Sequence, residues 1–311
     1  MKAAKRVLLT GASGFIGHHT IRELQARGYE IHAVGRHPFK QPPVDLFQHT
    51  IDLADDYRMR RVIRAIAPTH LMHLAWDVTP GTFWSSSTNL EWVAISLRLY
   101  RAFFEHGGQR AIFAGTFAEY DWSREVLDEV ATPLRPATLY GTAKCALHQL
   151  ITRAGERAGN SIAWARLFML YGPHEHRARL IPYVTCALLE GRSALCGDGG
   201  AERDFMHVAD AARALVTILD SNHQGAINVA SGNCTPVRTV IATIAELTGR
   251  HDLVCLGARP TPPDESPRLA ASTALLSDQL GFNPEFDLAR GLADTVSWWR
   301  SQLSGSAASH R

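Results

Sequence analysis

The stretch VLLTGASGFIG, residues 7–17, sets Gly11, Gly14 and Gly17 directly between a hydrophobic run and the amphipathic segment HHTIRELQAR. Few arrangements satisfy that order. A strand has to end, the chain has to turn tightly, and a helix has to begin close against the strand it has just left. Glycine permits the turn, the approach of backbone to a bound group and the close packing of helix on strand. The helix N-terminus then offers unpaired N–H groups and partial positive charge to a pyrophosphate. Any turn can use glycines, so it is the strand before and the helix after that point to dinucleotide binding.

The alternation goes on through EIHAVG, YRMRRVIRAI, THLMHLAW, SLRLYRAFFEHG and RAIFAGT, short β-rich runs exchanging with helical patterns. This is the mark of βαβ units on a parallel sheet. The expected fold is therefore α/β, a Rossmann-type doubly wound parallel sheet with a smaller C-terminal α/β substrate lobe. Residues 1–168 read as the dinucleotide-binding domain. Beyond residue 168 the clusters YGPHEHR, LCGDGGAERDF and GARPTPPDESPR read as loops that shape a site. Two later segments, DFMHVADAARALVTILD and GAINVASG, read as a helix and a strand that return to the sheet near residues 205–231, so 169–311 is mainly the substrate-binding lobe. The tail SGSAASHR is expected to fray.

At 311 residues and 46% hydrophobic the chain can bury a core large enough for two lobes, which excludes a disordered or fibrous protein. With 32 Lys+Arg against 30 Asp+Glu and no run of like charge, neither a nucleic acid nor a membrane surface is an expected partner. Cys145, Cys186, Cys196, Cys234 and Cys255 are odd in number and widely spaced, indicating neither a disulfide framework nor a zinc site. No apolar run approaches the ~18 residues of a membrane span. A cytoplasmic, unprocessed protein is expected.

About 20 residues past the glycines such a fold usually offers a carboxylate to the ribose hydroxyls. EIHAVGRHP offers Gly35 and Arg36 instead. A missing carboxylate removes repulsion toward a 2′-phosphate, and a guanidinium supplies a bidentate partner for one. That favours NADP(H) over NAD(H), with Arg36 as a plain solvated loop residue the competing reading and His37 a lesser helper. Asp52 in TIDLAD follows the third strand, where it could accept from the adenine amino group or cap the next helix.

In TLYGTAKCALHQL, Tyr140 and Lys144 are four apart and share one helix face if the segment is helical. An ammonium beside a phenol stabilises phenolate and prepares the tyrosine for proton transfer. Thr116, 24 residues before Tyr140, ends a strand between the dinucleotide motif and this pair.

Taken in order, TGASGFIG, HLAW in place of the usual H-L-A-A, Asn89, Y-x-x-x-K, RLFMLYGP and RDFMHVAD resemble the extended short-chain dehydrogenase/reductases acting on nucleotide-linked sugars, often labelled NAD-dependent epimerase/dehydratase. The resemblance covers nearly the whole chain. It implies Tyr140 as general acid/base, Lys144 holding the nicotinamide ribose and tuning Tyr140, and Thr116 hydrogen-bonding the reacting sugar oxygen. Ser13, Phe15 and Ile16 of the glycine loop, with Leu53, Leu74 and Ala75 at later strand ends, complete the expected cofactor contacts. A homodimer through the helix after Asn89 and the helix carrying Tyr140 is also implied.

On the substrate side the family pattern appears as Arg203 to Asp210, whose arginine usually binds the substrate diphosphate; pairing with Asp204 is the alternative. The C-terminal R-P-G-D pattern is broken in ARPTPPDESPR, leaving Arg259 or Arg268 as replacements. Met169 stands where many relatives have an asparagine that touches the nucleotide phosphates. His174, His176, Arg177 and Arg179 could line a sugar or diphosphate pocket, and the PHEH spacing does not indicate metal. Glu119, Tyr120 and Asp121 are candidates for sugar contacts.

Relatives that dehydrate place an Asp-Glu pair after the threonine, decarboxylases keep the Glu, and fucose-forming epimerase-reductases have a cysteine there. Phe117 and Ala118 can do none of this, and Glu119 should face away if the segment is extended. The expected reaction is NADPH-dependent reduction of the 4-keto group of a nucleotide-linked 6-deoxyhexose. A 4-epimerase with tightly bound NAD is the alternative, and a non-catalytic dinucleotide-binding sensor a third reading.

Overall fold

In the computed structural model, residues 5–39, 43–261 and 265–308 are described. The chain runs β1 (Arg6–Thr10), α1 (Phe15–Ala26), β2 (Glu30–Gly35), β3 (Leu46–Thr50), α2 (Asp56–Ile66), β4 (His70–His73), α3 (Thr88–Glu105) and β5 (Arg110–Thr116). A 3₁₀ turn at Phe117–Glu119 follows, then β6 (Val126–Leu127), α4 (Leu139–Ala158), β7 (Ser161–Leu167), β8 (Met169–Tyr171) and α5 (Leu180–Leu189). The remainder is β9 (Ala194–Leu195), β10 (Glu202–His207), α6 (Val208–Asp220), β11 (Gly225–Val229), β12 (Cys234–Pro236), α7 (Val237–Thr248), β13 (Val254–Cys255), β14 (Arg268–Ala271) and α8 (Leu288–Ala308).

Seven strands form the main sheet in the order β11-β7-β5-β4-β1-β2-β3, every pair parallel. Alternation along β1 shows how both faces are filled. Val7 and Leu9 point into one core with Ile21 and Leu24 of α1 and Leu215 of α6, whereas Leu8 points into the other with Met59, Ile63, Leu99 and Phe103. Strand β5 is buried along its whole length, as a central parallel strand covered on both sides must be. The order reverses between β1 and β4, so a crevice opens at the carboxyl ends of these strands, where such sheets bind ligands.

A second sheet is organised on β10. Its first half pairs with β12 and β14, its second half with β8, and β6 joins through β14. Helices α5, α7 and α8 enclose a core of Ile181, Val184, Leu188, Val240, Ile244, Leu292 and Val296. The three clusters read as loops lie largely between these elements, although LCGDGGAERDF runs into β10, and helix α5 between the first two carries no pattern in the sequence. LIPYVTCALL of α5 is apolar on nearly all sides because it is nearly wholly buried, so it has no polar stripe to betray a helix. The segment DFMHVAD splits: the strand continues to His207, which caps α6 with Nδ1 accepting from the Ala209 N–H at 3.4 Å. Helix α6 then packs on α1 and β11 joins the main sheet beside β7. The tail is helical as far as Ala308, and residues 309–311 lie outside the described residues.

Candidate active site

The glycine loop forms a cradle that side chains would fill. Gly11 has φ +74°, and a Cβ there would sit 2.8 Å from the backbone nitrogen of Ala75 and 2.9 Å from the carbonyl carbon of Leu74. A Cβ on Gly17 would fall 2.1 Å from the Gly11 oxygen, so α1 can begin this close to β1 only with glycine. Helix α1 has neither a capping side chain nor an acidic residue in its first turn, leaving its N–H groups to an anion. The loop therefore fits the pyrophosphate of a dinucleotide.

Ala12 and Ser13 face Gly35 and His37 across a narrow cleft at the end of β2, where Arg36 is exposed. Phe15 and Ile16 line the main cavity, while Leu53 is buried in the core. Asp52 is exposed and accepts from the Ala54 N–H at 2.9 Å. The cap of α2 is Asp55, which accepts from the Arg58 N–H at 3.0 Å, so capping by Asp52 is not what the structure shows.

Thr116 ends β5 and opens the 3₁₀ turn, its hydroxyl accepting from the Ala118 N–H at 3.2 Å. Tyr140 lies in the first turn of α4, which Thr138 caps through the Gly141 N–H at 3.0 Å. Gly141 brings the helix against the turn, since a Cβ there would lie 2.2 Å from the Ala118 oxygen. The phenol is enclosed by Phe83, Trp84 and Trp76, with ring centroids at 5.0, 5.7 and 6.3 Å. Burial pushes it up to about 12; the hydrogen bond with Thr116 opposes this, Glu119 adds to it and Arg179 opposes it.

Lys144 lies one turn further along α4, almost wholly buried, with Nζ donating to the Ala114 carbonyl at 2.8 Å. Burial pulls the ammonium down to about 7, against the charge of Glu119. His73 stands nearby between Thr10 and Ser96, at 2.7 and 2.9 Å; burial and then the Lys144 charge depress it to about 3, so it is a neutral structural bridge.

Thr116 and Tyr140 open on a cavity of about 630 Å³. Its main-sheet wall is aromatic, with Phe83, Trp84 and Phe117; its second-sheet wall carries Arg203, Arg259 and Glu265. His176 and Arg179 line it as well, the Arg179 guanidinium lying 4.9 Å from the Phe83 ring centre. Arg203 is buried and pairs with Glu265 at 2.9 Å, while Asp204 accepts from Ser231 and Gly232 instead. Met169 also faces the cavity.

Five of the expected substrate contacts lie elsewhere. Glu119 is no sugar contact: Phe117–Glu119 is a 3₁₀ turn, which swings the carboxylate inward to Trp164 and Arg166. Tyr120 is equally buried and donates to Asn228 at 2.7 Å. Arg268 does not line the cavity; it pairs with Glu202 at 2.7 Å, and Arg259 holds the cavity position. His174 and Arg177 also turn elsewhere, to His18 and Glu190.

Sequence reading missed Glu175. This carboxyl lines the cavity beside Arg179, and its Oε2 is buried with no hydrogen-bond partner; burial pushes it up to about 8. Among the described residues no group of three or more His, Cys, Asp or Glu is placed to hold a metal ion.

Residues 7–230 match the NAD dependent epimerase/dehydratase family. A UDP-glucose 4-epimerase from Azospirillum brasilense is 28% identical, covering 98% of this chain and 94% of its own. A dTDP-4-dehydro-6-deoxy-D-allose reductase from Streptomyces is 26% identical over 96% of this chain and 97% of its own. The structure of Thermus thermophilus UDP-glucose 4-epimerase in complex with NAD superposes with a TM-score of 0.84 at 26% identity, covering 95% of this chain and 99% of that one.

Proposed function

The chain belongs to the NAD dependent epimerase/dehydratase family, and from that premise we propose that it reduces the 4-keto group of a nucleotide-linked 6-deoxyhexose with NADPH. The observation that carries this is the wall around Thr116 and Tyr140. The two positions after the threonine are Phe117 and Ala118, so the turn carries no acid, base or thiol at the places where relatives that eliminate or invert have one. Aromatic Phe83, Trp84 and Phe117 suit a sugar whose C6 is a methyl group.

Tyr140 donates a proton to the carbonyl oxygen, which the Thr116 hydroxyl orients. Lys144 binds the nicotinamide ribose hydroxyls, and its charge stabilises the phenolate left behind. The bound dinucleotide supplies the hydride that reaches the carbonyl carbon. Arg203 and Arg259 take the diphosphate. NADPH is favoured because Gly35 and Arg36 replace an acidic strand end with a cation. Leu90 on α3 and Leu150 on α4, exposed by 60% and 52%, support a homodimer through these helices. Five free cysteines suit a reducing, cytoplasmic setting.

A second reading, 4-epimerisation with retained NAD, draws support from the Azospirillum relative. Anaerobic incubation with NADPH and a panel of nucleotide-linked 4-keto-6-deoxy sugars separates the two at the nicotinamide absorbance. Stoichiometric oxidation is expected. Interconversion of sugar epimers without net cofactor change would replace reductase by epimerase, and binding without turnover on any sugar would leave a dinucleotide sensor.

A further inference from the structure

Trp76 lies against both Tyr140 and Lys144, and no step above uses it. It follows the end of β4 by three residues, where the family pattern has an alanine. The Lys144 Nζ stands 3.7 Å from the centre of its indole ring, and the Tyr140 ring meets it edge to face at 6.3 Å. The indole is held from two sides. Its Nε1 donates to Asn89 Oδ1 at 2.8 Å, and the Trp92 ring stacks against it at 5.9 Å. Asn89, buried in the first turn of α3, is fixed in turn, its Nδ2 donating to the Phe83 and Ser86 carbonyls at 2.8 Å each.

A buried ammonium needs a compensating partner. Lys144 donates to the Ala114 carbonyl at 2.8 Å, and no carboxylate among the described residues is in direct contact with it. The indole face supplies what is missing. A cation this close to the centre of an indole is attracted by the negative charge of the ring face, most strongly where water is excluded. A carboxylate in the same place would attract the ammonium too, but it would also oppose formation of phenolate on Tyr140. A neutral ring holds the cation without that opposition.

We propose that Trp76 is a positioning residue whose indole face stands in for a counter-ion and holds Lys144 as an ammonium one helical turn from Tyr140. Its importance for catalysis rests on the reading of Lys144 as the group that binds the nicotinamide ribose and stabilises phenolate. The titratable groups around Lys144 are Tyr140 on α4, Glu119 in the turn after β5, whose charge favours ammonium, and the neutral His73 at the end of β4. Burial pulls the ammonium down to about 7. Trp76 keeps it from falling further.

The chain has only four lysines, Lys2, Lys5, Lys40 and Lys144, so in protein labelled with ¹³Cε-lysine the Lys144 resonance is assigned by its loss in Lys144→Met. The test replaces the seven tryptophans by tryptophan carrying three ring fluorines, which keeps the ring's shape and withdraws charge from its face. The Lys144 midpoint should fall by about one pH unit. Lys5, which lies over Tyr29 and not over a tryptophan, should titrate unchanged. In Trp76→Phe the same fluorination should leave Lys144 where it was. A Lys144 midpoint that stays or rises on fluorination, or that falls equally in Trp76→Phe, overturns the proposal. Should the fluorinated protein not fold, Trp76→Leu asks the same question: a fall is expected, and an unchanged or higher midpoint overturns it. The titration needs neither cofactor nor substrate. Unchanged NADPH affinity in Lys144→Met would sink the reading of Lys144 as a cofactor ligand and leave this result standing.

Discussion

The Lys144 ammonium lies 3.7 Å from the centre of the Trp76 indole ring, which is itself held by a 2.8 Å hydrogen bond from Nε1 to Asn89 Oδ1. Trp76 is the residue that departs from the family's H-L-A-A pattern, and its indole face packs against the ammonium. Lys144 is buried with no carboxylate in direct contact among the described residues, and burial depresses its ammonium to about 7 against the charge of Glu119.

Lys144→Met should therefore stabilise the cofactor-free protein while damaging the enzyme. A cation held below its ordinary range penalises folding wherever the unfolded chain keeps its proton. The penalty is full below the folded value and fades as pH rises toward the unfolded one. Urea unfolding near pH 7 should show the variant about 1–3 kcal/mol more stable, an advantage that shrinks by about pH 10. A less stable variant would mean that the contacts of the ammonium outweigh its desolvation.

Tyr140→Phe should lower kcat by roughly 10²–10⁴ while leaving dinucleotide affinity within a few-fold. Paired measurements of turnover and of NADPH binding by fluorescence decide this. Unchanged turnover would remove Tyr140 from the acid role.

Arg36→Ala should erode the preference for NADPH over NADH by at least about tenfold, since a charge-assisted bidentate contact to a 2′-phosphate is worth about 1.5–3 kcal/mol. Titration of both cofactors into wild type and variant measures it. Equal preference in both proteins would mean that Arg36 is a solvated loop residue.

Glu175→Gln should be indistinguishable from wild type in stability near pH 4 and more stable near pH 9. The carboxyl is raised to about 8 by burial, so its contribution to folding is fully present below the unfolded value and is lost as pH rises through the folded one. Unfolding midpoints at the two pH values are the measurement. A parallel course for the two proteins would mean that Glu175 is already ionised and solvated in the cavity.

Much of this molecule is written locally. VLLTGASGFIG specifies strand, turn and helix because glycine alone tolerates the φ of Gly11 and the closeness of Gly17 to the Gly11 carbonyl. Spacing along α4 puts Tyr140 and Lys144 on one face, and the apolar alternation of the first half announces a parallel sheet covered on both sides. Other features have no local mark. Helix α5 is apolar all round, and the strands of the second sheet run from two to six residues, too short for a pattern to emerge. Arg259 and Arg268 are equivalent in sequence, and only the pairing of Arg268 with Glu202 assigns the cavity to Arg259.

Glu119 marks the boundary between the two kinds of information. Its sequence neighbours decide that Thr116 is followed by no catalytic carboxylate or thiol, which is a statement about composition at two positions. Whether Glu119 faces sugar or core depends on a 3₁₀ turn and on the donors that β7, 42 or more residues later, delivers beside it. A carboxylate goes where its hydrogen-bond donors are, and Trp164 and Arg166 come together with Glu119 only when the sheet has formed. Sequence alone determined the strand, glycine turn and helix and the helical spacing of Tyr140 and Lys144; tertiary structure brought Thr116 to the same cavity wall as Tyr140 and decided which charges surround them, because charges act through space and not along the chain.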